Sequence, residues 1–232
     1  MIRVRRAEDR GAVNMGWLDA RHSFSFGSYY DPEHMGFGVL RVINEDRIEP
    51  AQGFGTHGHK DMEIVTYIIE GALEHKDSMG NGSVIREGDV QRMSAGTGVQ
   101  HSEFNHSKSE KTHLLQIWLL PERSGIEPGW EEKHFSNEDK KNRLKLIASR
   151  DARNDSLRIH QSVDLYASVL EKGESLSHAL TDGHSAWVQI VRGKLDVNGE
   201  QLLAGDGAAI ENFSALTIEA LEASEFLLFD MG

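Results

Sequence analysis

Two short segments carry residues that could hold a metal, His57-Gly58-His59 and His101-Ser102-Glu103. Each sets two potential ligands at i and i+2, which on a β-strand leave the same face about 7 Å apart along the chain. Two such strands side by side could converge three imidazoles and one carboxylate on a single ion. Histidine and carboxylate together suit a divalent transition metal with open positions better than a closed structural zinc, which usually draws on thiolates. The chain has no cysteine, so thiolate ligation, disulfides and a catalytic thiol fall away together. The alternative is a set of unrelated surface histidines, because 12 His in 232 residues make one His-x-His unremarkable. The second pair, and the glycines around both, weigh against that alternative.

Holding an ion this way requires strands, and strand-like segments dominate the chain. Residues 39–43, 63–69, 73–76, 114–120, 186–191, 195–197, 215–219 and 225–229 are rich in β-branched and aliphatic side chains. Most are bounded by Gly, Asp, Asn or Ser. Short strands at this spacing predict an all-β sandwich or barrel. Helix signals are few. Composition turns polar and charged between residues 122 and 145, next to Pro121 and around Pro128, which places a domain boundary near residue 140. The expected domains are residues 1–140 and 141–232.

An internal echo supports two units. Tyr67-Ile68-Ile69-Glu70-Gly71 followed by Gly88-Asp89 recurs as Gln189-Ile190-Val191-Arg192-Gly193 followed by Gly205-Asp206. Repetition of this kind suggests two copies of one β unit. Matching Gly71 to Gly193 sets His57 and His59 against Ala179 and Thr181, and matching the Gly-Asp turns sets His101 against Ile218. The second copy has therefore lost the ligand set. Ile218 and Ile190 are expected in an apolar interior there. His178 and His184 lie nearby without a partner at i+2.

Composition excludes several classes. Hydrophobic content of 38% and charged content of 27% fit a folded globular protein. A net charge of −12 argues against a phosphate-backbone surface, so no direct nucleic-acid partner is expected. No run approaches the roughly 18 apolar residues of a membrane span. The first residues, Met-Ile-Arg-Val-Arg-Arg, show no apolar stretch behind their charges. A cytoplasmic protein is the expectation.

The layout resembles a cupin, whose first motif has His-x-His, a Glu a few residues on and a Gly beyond. Here that reads His57-Gly58-His59-Lys60-Asp61-Met62-Glu63, then Gly71; a second motif reads Gly88, Ser94-Ala95-Gly96-Thr97-Gly98, His101 and Asn105. Ser94 stands where that turn usually has proline, and the turn is longer by two residues. These segments, with Glu74 to Asn81, the run His22-Ser23-Phe24-Ser25-Phe26 and the stretch from Tyr29 to Phe37, look like the pirin family. The likeness is nearest to its bacterial bicupin branch associated with quercetin 2,3-dioxygenase activity. It covers the whole chain in outline and is dense from about residue 10 to 120.

The resemblance implies two cupin domains in tandem, the first metal-binding and the second without ligands. It implies one divalent transition metal, foremost Fe(II), with Ni, Mn, Cu, Co or Zn as other occupants, held by His57, His59, His101 and Glu103. Glu63 occupies the place from which many other cupins take their Glu ligand. Sharing a strand face with His101 favours Glu103 as the ligand, and Glu63 is then expected to orient an imidazole or a water. Glu103 and Glu63 are the candidate catalytic bases of the two motifs. The implied reaction is flavonol cleavage by O2, for a substrate such as quercetin, with release of carbon monoxide. The alternative is a non-enzymatic, metal-dependent regulator acting through a protein partner. A sugar-phosphate isomerase is disfavoured, because neither motif is followed by a cluster of Arg or Lys. His75 and Lys76 are expected on a solvated strand, His106 and His113 beside a loop, and Phe24, Phe26 and Phe37 in the core.

Overall fold

The computed structural model describes residues 1–232. Its regular structure is strand almost throughout; the single α-helix is one turn, Asn137–Lys140, closed by a capping box between Ser136 and Asp139. The chain forms two compact units. One comprises residues 11–134 with 157–161, and the other residues 1–10, 135–156 and 162–232.

The first unit has two antiparallel sheets. Its large sheet runs in the order Gly129–His134, Asp89–Ser94, Glu63–Glu70, Thr112–Leu119, Leu40–Ile48, Leu18–His22 and Gly11–Asn14. The small sheet runs Gly53–His59, Val99–Asn105, Ala72–Asp77 and Gly82–Arg86. Leu18, Ile48, Ile68 and Leu114 of the large sheet pack against Leu73 and Ile85 of the small one. Alternation along each strand puts those residues inward.

The second unit repeats the plan. Its large sheet includes Ile2–Arg5, Gly207–Ile210, Ser185–Arg192, Ser224–Met231, Val163–Leu170 and Lys145–Ser149; its small sheet is Ser175–Ala179, Ala215–Ala220, Lys194–Val197 and Glu200–Leu203. Ile190 and Ile218, both about fully buried, lie in one apolar cluster with Leu170, Leu195, Phe226 and Leu228. The interior of this unit is thus hydrocarbon where the first carries imidazoles. Both units have the two-sheet antiparallel plan expected of a cupin. The echoed Gly71 and Gly193 follow a strand in each unit with φ of +81° and +82°. A Cβ there would meet the carbonyl oxygen of Lys111 or Ala223, so both steric and torsional demands require glycine.

The units do not divide the chain as two consecutive halves at 140/141. The division falls after His134, and two short segments are exchanged. The Ile2–Arg5 strand joins the C-terminal unit because it pairs along Gly207–Ile210, Ile2 opposite Ile210, and satisfies the backbone groups of that edge. Residues 157–161 belong to the first unit, where His160 N–H donates to Glu63, Arg158 N–H to Glu131 and the Gln161 amide to the Leu120 carbonyl. The polar stretch on which the expected boundary falls contains the Gly129–His134 strand, in register with Asp89–Ser94.

Candidate metal centre

The central strand of the site is Val99–Asn105, which lies between Gly53–His59 and Ala72–Asp77. His101 is directly opposite His57 on one side and Asp77 on the other; Glu103 is opposite His75. A bulge between His101 and Glu103 lets one extra residue of the Gly53–His59 strand slip in, so the register shifts from His57 to Phe54. Gly53 permits this, because a Cβ there would strike the Glu103 carbonyl oxygen.

Three imidazoles converge. Nε2 of His101 lies 2.9 Å from Nε2 of His59 and 3.0 Å from Nε2 of His57. Nitrogens bound at about 2.0–2.1 Å to one ion sit about 3 Å apart when they occupy adjacent coordination positions. Two of the three lone pairs are fixed by outer partners. His57 Nδ1 donates to the Gly55 carbonyl at 2.8 Å, which leaves its Nε2 unprotonated. Burial, reinforced by the neighbouring imidazoles, drives His101 down to about 3 and His59 down to about 4. Both are neutral at neutral pH, the form that binds metal.

Behind His101 lies His75, fully buried rather than on a solvated strand. Its Nδ1 is 3.4 Å from His101 Nδ1, its Nε2 is 3.3 Å from Asp77 Oδ2, and its ring stacks on Trp130 at 5.9 Å. Burial opposes charge on Asp77, but hydrogen bonds from Asn81, His75 and the Met79 amide outweigh it and hold the carboxyl below its usual range. Asp77 therefore accepts a hydrogen bond from His75 Nε2–H, His75 Nδ1 becomes the acceptor, and His101 must donate through Nδ1. That tautomer points the His101 Nε2 lone pair at the other two imidazoles. His75 was missed in the sequence because a histidine inside Leu73–Lys76 reads as the polar side of an amphipathic strand.

Glu103 is buried, and its carboxylate lies within 4.8 Å of the nearest nitrogens of His101 and His75. Its Oε2 accepts from the Gln116 amide at 3.0 Å, and Gln116 in turn accepts from Thr66. Oε1 is buried without a partner. Burial pushes this carboxyl up to about 7 against the opposing pull of Gln116 and Thr66. An unpartnered buried carboxylate oxygen close to His101, itself one of three converging imidazoles, fits a divalent cation, which would neutralise it.

Glu63 is placed elsewhere. Its neighbour Ile64 lines the cavity above the histidines, so period-2 alternation turns Glu63 to the opposite face of the sheet. There its Oε2 accepts from Ser94 Oγ at 3.0 Å and from His160 N–H at 3.1 Å. Glu63 thus orients no ligand imidazole, and the serine that replaces the usual proline supplies its hydrogen bond. His106 is exposed beside Glu74, whereas His113 sits on the Thr112–Leu119 strand, 2.9 Å from Glu45.

The histidines open on a cavity of about 400 Å³, within the roughly 300–1,000 Å³ typical of small-ligand sites. Trp17, Phe26, Phe54, Ile64 and Trp118 form its walls, and Asn44, Asp46, Glu103 and Gln116 bring polar atoms to it. Phe26 is thus a cavity wall, while Phe24 and Phe37 are buried. Trp118 packs edge-on against His59 at 4.8 Å and against Phe26 at 5.2 Å. Burial, together with the Glu103 and Glu45 charges, raises Asp46 to about 7.

Two family profiles match the chain, one described as Pirin over residues 3–119 and one as the quercetinase C-terminal cupin domain over residues 146–231. The chain is 49% identical over 231 residues to a protein of Escherichia coli K12 named quercetin 2,3-dioxygenase, covering 100% of this chain and 99% of that protein. It is 41% identical over 233 residues to a pirin-like protein of Caulobacter vibrioides, covering 99% of each. Among solved structures, the bacterial pirin YhhW from Escherichia coli in complex with nickel(II) superposes with a TM-score of 0.96 at 48% identity, covering 100% of this chain and 99% of that one.

Proposed function

The chain belongs to the pirin family, and from that premise we propose that it is a metal-dependent dioxygenase cleaving flavonol-like aromatics with O2. The observation that carries the reading is the convergence of His57, His59 and His101 at the floor of an aromatic-walled cavity beside the unpartnered Glu103 Oε1. His57, His59 and His101 would hold the metal through Nε2, with Glu103 as the fourth ligand through the oxygen that Gln116 leaves free. Iron(II) is the proposed native ion. A bound divalent ion would supply Lewis acidity, lowering the pKa of a substrate hydroxyl presented to it.

The protein's own groups do the rest. Trp118, Phe26 and Phe54 offer ring faces and edges to a flat substrate, worth roughly 0.5–1.5 kcal/mol per well-oriented aromatic pair beyond burial. Gln116 holds Glu103 in place through Oε2 and leaves Oε1 free to serve as a ligand. The name quercetin 2,3-dioxygenase borne by the 49% identical relative supports a flavonol substrate.

The test is quercetin consumption under air by iron-loaded and chelator-stripped protein, with carbon monoxide measured in the headspace and metal content by elemental analysis. The reading requires turnover with stoichiometric gas release in the loaded sample alone. Full metal occupancy with no consumption would instead favour a regulator.

A further inference from the structure

Two buried polar side chains on one strand each carry an oxygen left without a hydrogen-bond partner in the protein. Asn44 and Asp46 lie at i and i+2 on Leu40–Ile48, so both face the same side. They are 3% and 5% exposed, and both line the cavity that the histidines floor. The Oδ1 atoms of both are buried and unpartnered. Asn44 sits opposite Gln116 in the sheet, next to the amide that positions Glu103. Asp46 lies between Ala20 and Leu114, neighbours that offer no side-chain donor. A third unpartnered atom, Nε1 of Trp118, is carried by a residue that lines the same cavity.

Leaving such groups unpaired disfavours the free protein, since a buried polar group without a partner has given up its hydration for nothing in return. Sites that retain them are sites whose partners arrive with the ligand. The surrounding walls are aromatic, so the arriving partner must be a flat apolar body carrying polar hydrogens at its rim. Hydroxyls on an aromatic ring meet that description. An amide and a carboxyl can each exchange a hydrogen bond with a phenol.

We propose that Asn44 and Asp46 are the specificity-determining pair of the cavity, hydrogen-bonding a ring hydroxyl of the substrate other than the one presented to the histidines. This rests on the flavonol reading above and narrows it: the preferred ligand is a polyhydroxylated flavonol over one bearing the 3-hydroxyl alone. Gln116 and Glu103 serve the metal side, and Asn44 and Asp46 serve the recognition side of the same cavity.

The experiment compares anaerobic binding of quercetin and of 3-hydroxyflavone to nickel-loaded protein. The wild type is expected to prefer quercetin. Asn44→Val and Asp46→Val should each lose roughly 10–100-fold in quercetin affinity, the range for a lost hydrogen bond to a buried polar group, while 3-hydroxyflavone is held as before. Valine is chosen because it suits a strand interior and fills a similar volume. Metal content and melting temperature provide the second readout: neither should fall, because neither buried Oδ1 has a protein partner to lose. Variants that bind both flavonols less well in equal measure, that melt earlier, or that keep the quercetin preference would each overturn the assignment. A wild type that binds neither flavonol while holding its metal would overturn the flavonol reading itself.

Discussion

The Nδ1 atoms of His75 and His101 lie 3.4 Å apart, and only one of the two can carry a proton. Asp77 decides which, by accepting from the far side of His75. The buried pair thereby sets the tautomer of a residue that faces the other two imidazoles, from a position that never reaches the cavity. Replacing His75 by Ala, or Asp77 by Asn, should weaken metal binding by roughly 10–100-fold with the fold retained. Competition titration with nickel measures it; unchanged affinity in both variants would remove the pair from the site.

The two glutamates separate by readout. Glu103→Ala should lower metal occupancy and bring flavonol turnover to near background, because it deletes the proposed fourth ligand. Glu63→Gln should leave metal content intact and cost stability, about 1–3 kcal/mol, because it disturbs the buried contacts with Ser94 and His160. Metal analysis and thermal melting on the same samples check both. Loss of metal from Glu63→Gln alone would mean that the fourth ligand follows the general cupin pattern.

Trp118 packs on Phe26 and His59 in the cavity wall, where the proposed function gives it a contact with a flat substrate. Trp118→Leu should raise the KM for a flavonol roughly 2–10-fold, in line with the loss of one aromatic contact, with a smaller change in kcat. Steady-state kinetics at matched metal content tests this.

In the second unit His178 and His184 meet on opposite oxygens of Asp230, at 2.8 and 2.7 Å. Burial opposes the charge of Asp230, but the hydrogen bonds from both histidines outweigh it and hold the carboxyl below its ordinary value of 3.8. A carboxyl depressed on folding adds stability that is present above 3.8 and lost as pH falls through the folded-state value. Asp230→Asn should therefore destabilise the protein at about pH 7 and much less at about pH 2. Melting curves across that range would show a constant gap if the clamp were not electrostatic.

The local part of the site was legible in residue order. His57 and His59, and His101 and Glu103, share faces because a strand repeats every two residues, and the structure keeps both pairs on strands. The apolar second unit was legible too, from the alignment that put Ile218 where the first copy has His101. The Gly53–His59 strand was not, since its glycines carry little strand preference and it is held by pairing with Val99–Asn105. Phe26 and His75 were misplaced because their surroundings come from distant strands.

What the sequence by itself determined is therefore everything that depends on alternation and turn chemistry: an all-β chain, two copies of one unit, glycine at two turns, and two candidate ligand pairs. Only the tertiary structure decided what those pairs face. It turned Glu63 away through its neighbour Ile64, set His75 and Asp77 behind His101, brought Asn44 and Asp46 to the cavity, and exchanged residues 1–10 and 157–161 between units. The physical reason is register. Which side chains meet across strands 26 to 44 residues apart is set by how whole sheets pair and pack, and a one-residue slip would exchange every inward group for its outward neighbour.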